Sequence, residues 1–534
     1  MLRSLPIAVI AAALVFAPQA QAKKRTQIHP YLELDQTVLL PIQPSGPAET
    51  YTTFAAGVDA STSSRRAEGQ VSARYEYRRD WRSNGYDAHV FSGLARARYD
   101  AVPNLLSIES GALGTRTRTD IRGGALQPGL GNPVNTSQLY AAYVGPTLAT
   151  NVNGIDLGAF YRFGYTKVET ETTNILPAGS PALGGFDSST SHAAGASIGM
   201  RSGLLPFGWT VSGGWNRDDA SILDQRYEGK FARADVVVPL TPTVAAIGGA
   251  GYEHITASQR DALRDGAGNP VVTPDGRFIT DPASPRRLAY DVSGFIWDVG
   301  VLWRPSKRTQ LTAKVGRRYG STTYTGDFSW QINQRQALAI GVYDGITTFG
   351  QQITAGLRDI PTQFTVSRDP FSNQFGGCVF GSGDGGAGAC LTPALQSIAQ
   401  GTYRSRGGGA VWRYRRAGTS IGIALGYTQR RFFAPPVAGF SVDGVTDESF
   451  YAQANVARTL DERSGIEASA YANWYDSGIN GAPRVMGVGG TASYWRNFGP
   501  RLTGTASVGL YSSDVDGFAS TVIGAGQVGA RYTF

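Results

Sequence analysis

The stretch Val71-Ser-Ala-Arg-Tyr-Glu-Tyr-Arg78 sorts its side chains into two classes by strict alternation. Positions 71, 73, 75 and 77 are apolar or aromatic, and positions 72, 74, 76 and 78 are serine, arginine, glutamate and arginine. Successive side chains of a β-strand point to opposite faces, so this pattern predicts a strand with one apolar and one charged face. A soluble core does not accommodate unpaired arginine and glutamate. The pattern therefore indicates a strand between lipid and a polar interior.

The same alternation recurs along the chain, in segments 91–101, 155–165, 295–303 and 522–534. Short connections alternate with longer links at about 119–135, 171–189, 258–286, 348–401 and 432–446. Bacterial outer-membrane barrels combine short periplasmic turns with long extracellular loops. The sequence therefore predicts an all-β fold, a single antiparallel up-and-down transmembrane β-barrel of about 18–22 strands, with 22 as the best count.

The composition agrees with this class and excludes others. The chain has 534 residues with 69 glycines, 11% aromatic and 17% charged residues, and a formal net charge of +8. The charged fraction is below the usual quarter or so of soluble domains and too low for a coiled coil, and the aromatic content argues against disorder. The basic residues alternate with apolar ones and form no exposed patch, so a nucleic-acid partner is not expected.

Both chain ends suggest export to the outer membrane. Arg3, an apolar stretch at 5–16 and Ala20-Gln-Ala22 have the pattern of a secretory signal peptide, so residues 1–22 are expected to be cleaved and residues 23–534 to form the barrel. Fewer than ten mature residues precede the first strand, which predicts that no N-terminal plug domain exists. The final strand ends at Phe534, like the C-terminal assembly signal of outer-membrane proteins. The expected partners are outer-membrane lipid and the barrel-assembly machinery.

One strand departs from the rule. Counting alternate positions from Tyr227 would place Arg233 and Asp235 in lipid. A β-bulge near Ala232 would return the following valines to the apolar face, so a bulge is expected there. The alternative is that this strand lies higher, at the membrane interface.

Most of the basic charge comes from arginine, and the alternation assigns much of it to the lumen. The candidate lumen-lining residues are Arg74, Arg78, Arg96, Arg98, Arg162, Arg226, Lys230, Lys314, Arg318, Glu76 and Glu109. One interpretation is a net-basic channel that favours anionic solutes. The other is a lumen in which Arg–Glu pairs join neighbouring strands.

The longest link, residues 348–401, is expected to fold into or across the mouth as a constriction or plug. It contains both cysteines, Cys378 and Cys390, which are predicted to form a disulfide in an oxidising compartment. A short helix is expected at 393–400, because Thr392 can cap it and Gly401 follows it.

Three patterns that suggest chemistry are weak. Gly383-Asp-Gly-Gly-Ala-Gly388 has no strand before it and no helix after it, as a nucleotide-binding loop would require. Gly195-Ala-Ser-Ile-Gly199 lies within an alternating strand, where Ser197 could not occupy a nucleophile elbow. The four histidines are scattered without metal-ligand spacing. No catalytic residue, cofactor or metal is predicted, and the chain is not expected to be an enzyme.

Segments 50–81 and 300–324 also carry a family resemblance. They include Tyr51-Thr-Thr-Phe-Ala-Ala-Gly-Val58, Tyr75-Glu-Tyr-Arg-Arg-Asp-Trp81, Gly300-Val-Leu-Trp-Arg-Pro-Ser-Lys-Arg-Thr309 and Lys314-Val-Gly-Arg-Arg-Tyr-Gly-Ser-Thr-Thr-Tyr324. These stretches resemble an uncharacterised outer-membrane β-barrel family associated with PEP-CTERM/exosortase and exopolysaccharide systems. The resemblance implies a link to surface polysaccharide, with exopolysaccharide export components as candidate partners, and supplies no activity or functional residues.

Together these features predict a porin-like channel of the bacterial outer membrane for surface polysaccharide or small anionic solutes. The alternative is a structural or surface-display barrel without transport activity, and a barrel-embedded hydrolase is the least expected. The sequence leaves the oligomeric state open, because lipid-facing alternation is the same in monomers and trimers.

Overall fold

The computed structural model describes residues 26–534, except 82–87, 119–135, 171–185, 204, 274–276, 373–374, 382–385, 396–397, 399–400 and 436–441. The predicted signal peptide lies outside the described residues.

A 22-stranded antiparallel sheet makes up most of the chain. Its first fifteen strands are β1 (Gln27–Gln43), β2 (Glu49–Ser63), β3 (Ala67–Asp80), β4 (Ala88–Val102), β5 (Leu106–Arg118), β6 (Thr136–Val152), β7 (Ile155–Thr170), β8 (Ser188–Met200), β9 (Gly208–Ala220), β10 (Gln225–Pro239), β11 (Val244–Gln259), β12 (Arg287–Ser306), β13 (Thr309–Arg318), β14 (Ser321–Asn333) and β15 (Gln336–Thr348).

A segment with its own secondary structure then interrupts the sheet. It contains helix α1 (Phe349–Asp359), the small antiparallel sheet β16 (Phe364–Arg368), β17 (Phe375–Gly381) and β18 (Gly388–Cys390), and helix α2 (Thr392–Leu395). Residues 349–401 are called the lumen segment below. The helix predicted at 393–400 starts one residue earlier, and the residues just after Leu395 are not described. Among the described residues, neither helix is long and apolar enough to span a bilayer.

The large sheet resumes and closes on itself. The remaining strands are β19 (Thr402–Arg416), β20 (Thr419–Phe433), β21 (Thr446–Asp461), β22 (Ser464–Asp476), β23 (Val485–Asn497), β24 (Leu502–Val515) and β25 (Thr521–Thr533). β15 pairs with β19 across the lumen segment, and β25 pairs with β1, with Ala530 opposite Leu34. The sheet is therefore a closed barrel, which confirms the predicted fold class and the count of 22 strands.

The two ends of the barrel differ. Gln27, Phe534 and short turns such as 153–154 and 417–418 lie at one end, called the short-turn end. The longer connections 260–286, 349–401 and 434–445 lie at the other, called the loop end. The loop end also has one two-residue turn, Tyr319–Gly320, so the wall is low at β13 and β14.

Alternation divides the wall into two faces as predicted. On β12, Phe295, Trp297 and Val299 point outward and are 67%, 42% and 52% exposed. On β3, Arg74 and Glu76 point inward and are 2% and 1% exposed. Apolar side chains facing outward and ionic side chains buried inside are the arrangement of a barrel in lipid.

β10 corrects one prediction. Its pairing with β9 and β11 is continuous, without a bulge near Ala232. Tyr227 is buried on the inner face. Arg233 and Asp235 lie an even number of residues further along the same strand, so they also point inward. Arg226 and Lys230 therefore lie on the outer face, and their assignment to the lumen was wrong. The error arose because the apolar Tyr227 was taken to mark the lipid face.

Candidate functional site

The lumen segment packs its first helix against one side of the barrel. The Thr348 hydroxyl caps α1 by accepting a hydrogen bond from the Gln351 amide. Ile353 and Leu357 lie one turn apart and are fully buried, in a cluster with inward-facing residues of the wall: Leu113, Leu139 and Val168. Burial of an aliphatic side chain stabilises such a contact by about 1.5–3 kcal/mol. The helix is therefore held against β5–β7 by a dry interface.

Two glycines allow the helix to approach the wall closely. A Cβ atom at Gly164 on β7 would lie 2.8 Å from Cγ2 of Thr354 on the helix. A Cβ atom at Gly350 would overlap the hydroxyl of Ser189 on β8. Larger side chains at either position would separate the helix from the wall.

A charge cluster receives the end of the helix. The Arg96 guanidinium donates hydrogen bonds to the carbonyl oxygens of Ile360 and Arg358, at 3.1 and 3.2 Å, and to Glu109 at 3.2 Å. Arg162 lies 3.8 Å from the same glutamate. The predicted lumen residues Arg96, Arg162 and Glu109 thus meet at the point where the helix ends. A cation near a helix C-terminus also interacts favourably with the helix dipole.

The segment then reaches the short-turn end. The Thr362 hydroxyl donates to Glu68 at 3.0 Å, and the Phe364 amide donates to the Gln70 side chain at 2.9 Å. Glu68 is the second residue of β3. Because Phe349 lies at the loop end and Thr362 contacts the opposite end, the segment spans the full depth of the barrel.

A second charge cluster joins β1, β3 and β25. Arg74 contacts Glu33 at 2.5 Å, Asp35 at 3.2 Å and Glu76 at 3.2 Å. Arg78 contacts Glu76 at 2.6 Å and donates to the Ser372 carbonyl of the lumen segment at 3.0 Å. The sequence analysis named Arg74, Arg78 and Glu76. It missed Glu33 and Asp35, although the alternation of Leu32 and Leu34 with these acids on β1 carries the signal.

The lumen segment brings its own charged residues to this cluster. Arg368 donates to the hydroxyls of Ser72 and Ser92. Asp369 accepts a hydrogen bond from Tyr511 at 2.5 Å, and Phe371 packs edge-on against that tyrosine ring. These contacts hold the middle of the segment against β3, β4 and β24.

The last part of the segment packs on the opposite wall. A disulfide joins Cys378 on β17 to Cys390 on β18. Phe380 packs where β20 has Gly422, and Arg413 on β19 donates to the Gly381 carbonyl at 2.8 Å. Contacts on β3–β8, β19–β20 and β24 surround the segment, so it lies within the lumen.

The wall opposite α1 is different. On β10, β12 and β13, Arg233 contacts Asp235 at 2.5 Å and Asp298 at 2.8 Å, and Lys314 contacts Asp298 at 3.2 Å. These four side chains are 17–28% exposed. In the part of the chain that is described, no hydrogen bond or ion pair joins them to the lumen segment. The wall strands β11–β14 are called the uncovered sector below.

Apolar and aromatic side chains close the loop end above the uncovered sector. The rings of Tyr290 on β12 and Phe433 on β20 lie 4.4 Å apart, and Tyr227 donates to the Ile346 carbonyl at 3.3 Å. Below them, Arg318 pairs with Glu253 at 2.6 Å, and Glu253 is 1% exposed. The predicted lumen residues Lys314 and Arg318 are thus both inward and both paired.

The remaining predicted residues are placed as follows. Arg98 faces the lumen and contacts Asp100 at 3.2 Å and Glu109 at 3.3 Å. Arg226 contacts Asp219 and Lys230 contacts Glu228 on the outer face, at 2.6 and 3.0 Å. The amide of Phe534 donates to the Pro30 carbonyl at 3.0 Å, which ties the last residue to β1.

The weak sequence motifs form no reactive group. Ser197 points inward on β8, whereas His192 points outward and contacts the Tyr161 hydroxyl at 2.8 Å. Half of the Gly383–Gly388 motif, residues 383–385, lies outside the described residues. Within the described ranges, no group of three or more histidine, cysteine, aspartate or glutamate side chains is arranged to hold a metal ion.

No family model matches the chain, and no curated protein matches it. Solved structures with a similar arrangement include the Fiu ferric-catecholate import receptor of E. coli K12, with 10% identity, coverage of 94% of this chain and 82% of that chain, and a TM-score of 0.46. The FrpB iron transporter of Neisseria meningitidis has 9% identity, coverages of 94% and 81%, and a TM-score of 0.45. The alcaligin receptor FauA of Bordetella pertussis has 11% identity, coverages of 94% and 76%, and a TM-score of 0.40. At these identities and TM-scores, nothing about ligand or activity follows from the similarity.

Proposed function

We propose that the protein is a transport barrel of the bacterial outer membrane whose pathway is closed by its own lumen segment and opens when that segment moves. A barrel of this strand number encloses a space that needs a plug to be closed. The single observation that carries the proposal is the course of residues 349–401 through the lumen, from the loop end to Glu68 near the short-turn end.

The outer surface supports the outer-membrane location. Its strands present a band of exposed apolar and aromatic side chains, which a soluble protein would not leave in water. The signal peptide expected at residues 1–22 would deliver the chain across the inner membrane. The barrel lies in the outer membrane with its short turns in the periplasm.

The segment can leave the lumen without breaking the wall. Both of its ends, next to Thr348 and Thr402, lie at the loop end, where β15 and β19 pair directly with each other. Gly401, immediately before β19, has φ +105°, a conformation that glycine adopts without strain. When the segment moves away, Arg74 and Arg78 keep Glu33, Asp35 and Glu76 as partners on the wall. The lumen would therefore stay ion-paired in the open state.

The proposed cargo is small polar solutes or a strand of surface polysaccharide. The lumen is lined by paired charges and hydroxyl groups, which suit hydrated solutes. The polysaccharide proposal rests only on the resemblance of segments 50–81 and 300–324 to a barrel family found with exopolysaccharide systems. No catalytic step is proposed.

Solute uptake by liposomes tests this function. Purified protein in liposomes is diluted into isotonic arabinose, and swelling is followed by light scattering. We expect little swelling with the intact chain and rapid swelling when residues 350–401 are replaced by a short glycine-serine linker. A matched control replaces loop 260–286, which lies at the same end of the barrel, and should not swell.

The second candidate is a structural or surface-display barrel that never opens. The dense packing between the segment and the wall at Ile353, Leu357, Arg96 and Arg368 favours it. This candidate also predicts swelling after deletion, so the intact chain must decide. Any solute entry through the intact chain that the Arg96→Ala substitution increases supports transport, and no entry in either protein supports the structural barrel.

A further inference from the structure

The charges in the lumen are not equivalent, because most of them neutralise one another. Arg233 and Lys314 share Asp235 and Asp298. A passing ion experiences such a compact set of opposite charges mainly as a dipole, whose field falls off faster than that of a single charge. Unpaired charges therefore dominate the choice between cations and anions.

Four inward-facing acids of the wall have no ion pair among the described residues: Asp218, which is 2% exposed, Glu68, which accepts a hydrogen bond from Thr362, and the exposed Asp327 and Glu467. Asp327 lies near the middle of β14 and faces Thr312 of β13, which is inward like Lys314. Glu467 lies near the short-turn end of β22 and faces Ser493, whose hydroxyl bonds to Ser507 on the inner face. Asp327 and Glu467 are both exposed to the lumen.

Most inward bases are engaged, and Arg304, exposed at the short-turn end of β12, is an exception among the described residues. Arg318 is paired with Glu253, Arg430 with Asp447 at 2.5 Å, and Arg531 with Glu33 at 3.0 Å. Arg413 donates to the Gly381 carbonyl of the lumen segment at 2.8 Å. The exposed charge that remains available in the lumen is therefore mainly that of Asp327 and Glu467, in contrast to the net-basic channel that was one of the two interpretations of the sequence.

Several bases that the alternation could have placed inside lie on the outer face instead. Arg226 and Lys230 face outward on β10, and Arg458 and Arg496 face outward on β21 and β23. Arg226 and Lys230 are paired with the outward acids Asp219 and Glu228, whereas Arg458 and Arg496 have no ion pair among the described residues and raise the formal charge of the chain without contributing to the lumen. This explains why a chain of net charge +8 can enclose an acidic pathway.

We propose that the open lumen selects cationic over anionic solutes, with Asp327 and Glu467 as the groups that set this preference. The inference rests on the proposed function, since selectivity requires a pathway. Unpaired carboxylates in a confined aqueous pathway concentrate cations and exclude anions. Asp327 acts at mid-depth and Glu467 at the periplasmic entrance.

The test is the reversal potential in planar bilayers under a tenfold gradient of potassium chloride, converted to the ratio of potassium to chloride permeability. Two proteins supply open pores: the variant lacking residues 350–401, and the full-length chain carrying Arg96→Ala and Arg368→Ala. We expect potassium to permeate at least about threefold better than chloride in both. Asp327→Asn with Glu467→Gln should bring the ratio close to one. Asp514→Asn, an outward-facing acid on β24, is the matched control and should leave the ratio unchanged.

The outcomes separate the two proposals. Current that prefers chloride, or a ratio that the Asp327→Asn, Glu467→Gln pair does not lower, overturns the cation preference and leaves the transport function intact. Absence of current in every correctly inserted variant overturns the transport function and the cation preference together. Heat-modifiable gel mobility of each variant shows that the barrel has folded before it is measured.

Discussion

Two parts of the same wall have the same alternating pattern and different environments. On β4–β8, inward side chains meet α1 and become dry, so that Arg96 is 6% exposed and Leu139 is fully buried. In the uncovered sector, inward side chains face open lumen, and Lys314 is 28% exposed. The difference teaches that strand periodicity decides which face a residue occupies, whereas the lumen segment decides whether that face is wet. Four groups of substitutions can break or sharpen this comparison.

The largest effect is expected at Arg96 in the covered wall. Arg96→Ala removes the donor for two helix carbonyls and the partner of Glu109, and breaking such a buried ionic contact typically costs about 3–5 kcal/mol. The opening free energy of the lumen segment, measured by hydrogen exchange at 349–359, should fall by about this amount. Arg96→Lys should restore part of it. Unchanged protection would mean that the helix is held without this contact.

The second largest effect is expected from removal of the disulfide. Replacing Cys378 and Cys390 with serine releases a small loop, and chain entropy suggests a loss of about 3 kcal/mol at most. We expect faster proteolysis within the lumen segment and an unchanged melting temperature of the barrel wall. Equal loss of segment and wall stability would show that the two fold as one cooperative unit.

A smaller effect is expected from two inward glycines of the wall that form a matched pair. Gly164→Val on β7 would collide with Thr354 of the helix, whereas Gly294→Val on β12, in the uncovered sector, is the control because a Cβ atom there would meet nothing within 4 Å. Overpacking usually costs about 1–3 kcal/mol, so only the first variant should weaken protection of α1. Equal effects of the two variants would contradict the difference between the sectors.

The smallest effect is expected in the uncovered sector. Lys314→Gln removes one partner from a partly exposed charge set whose carboxylates keep Arg233. The free energy of unfolding should therefore change by less than about 1 kcal/mol. Asp327→Asn should have no larger effect on stability. A loss comparable with that of Arg96→Ala would show that this sector is also buried.

Much of the fold could be predicted from the sequence because period two is a local signal. The alternation in 71–78 and 295–303 identified strands, their faces and the closed barrel. It failed on β10 because an aromatic residue near the loop end of a strand can face either the lipid or the lumen. Tyr227 faces the lumen and packs near Ile346, and it does not belong to the outer aromatic girdle. Because Tyr227 was assigned to the lipid face, its neighbours in the alternation were assigned to the wrong faces as well, and Arg226 and Lys230 were placed in the lumen.

The site could be predicted only in part. The length of link 348–401 and its cysteines indicated a folded insertion, and the inward arginines were named from parity alone. Their partners were not, because Arg96 pairs with carbonyls 262–264 residues away and Arg74 with acids about 40 residues away. The contacts of Arg96 depend on the path of the lumen segment, and those of Arg74 depend on how β1 lies beside β2 and β3; alternation within one strand predicts neither.

The most direct test of the account is single-channel conductance in planar bilayers, comparing the full-length chain with the variant that lacks residues 350–401. If the lumen segment closes the barrel, the full-length chain stays closed at low voltage and the variant shows a large, stable open level. A full-length chain that conducts as well as the variant, or a folded variant that does not conduct, would contradict the account.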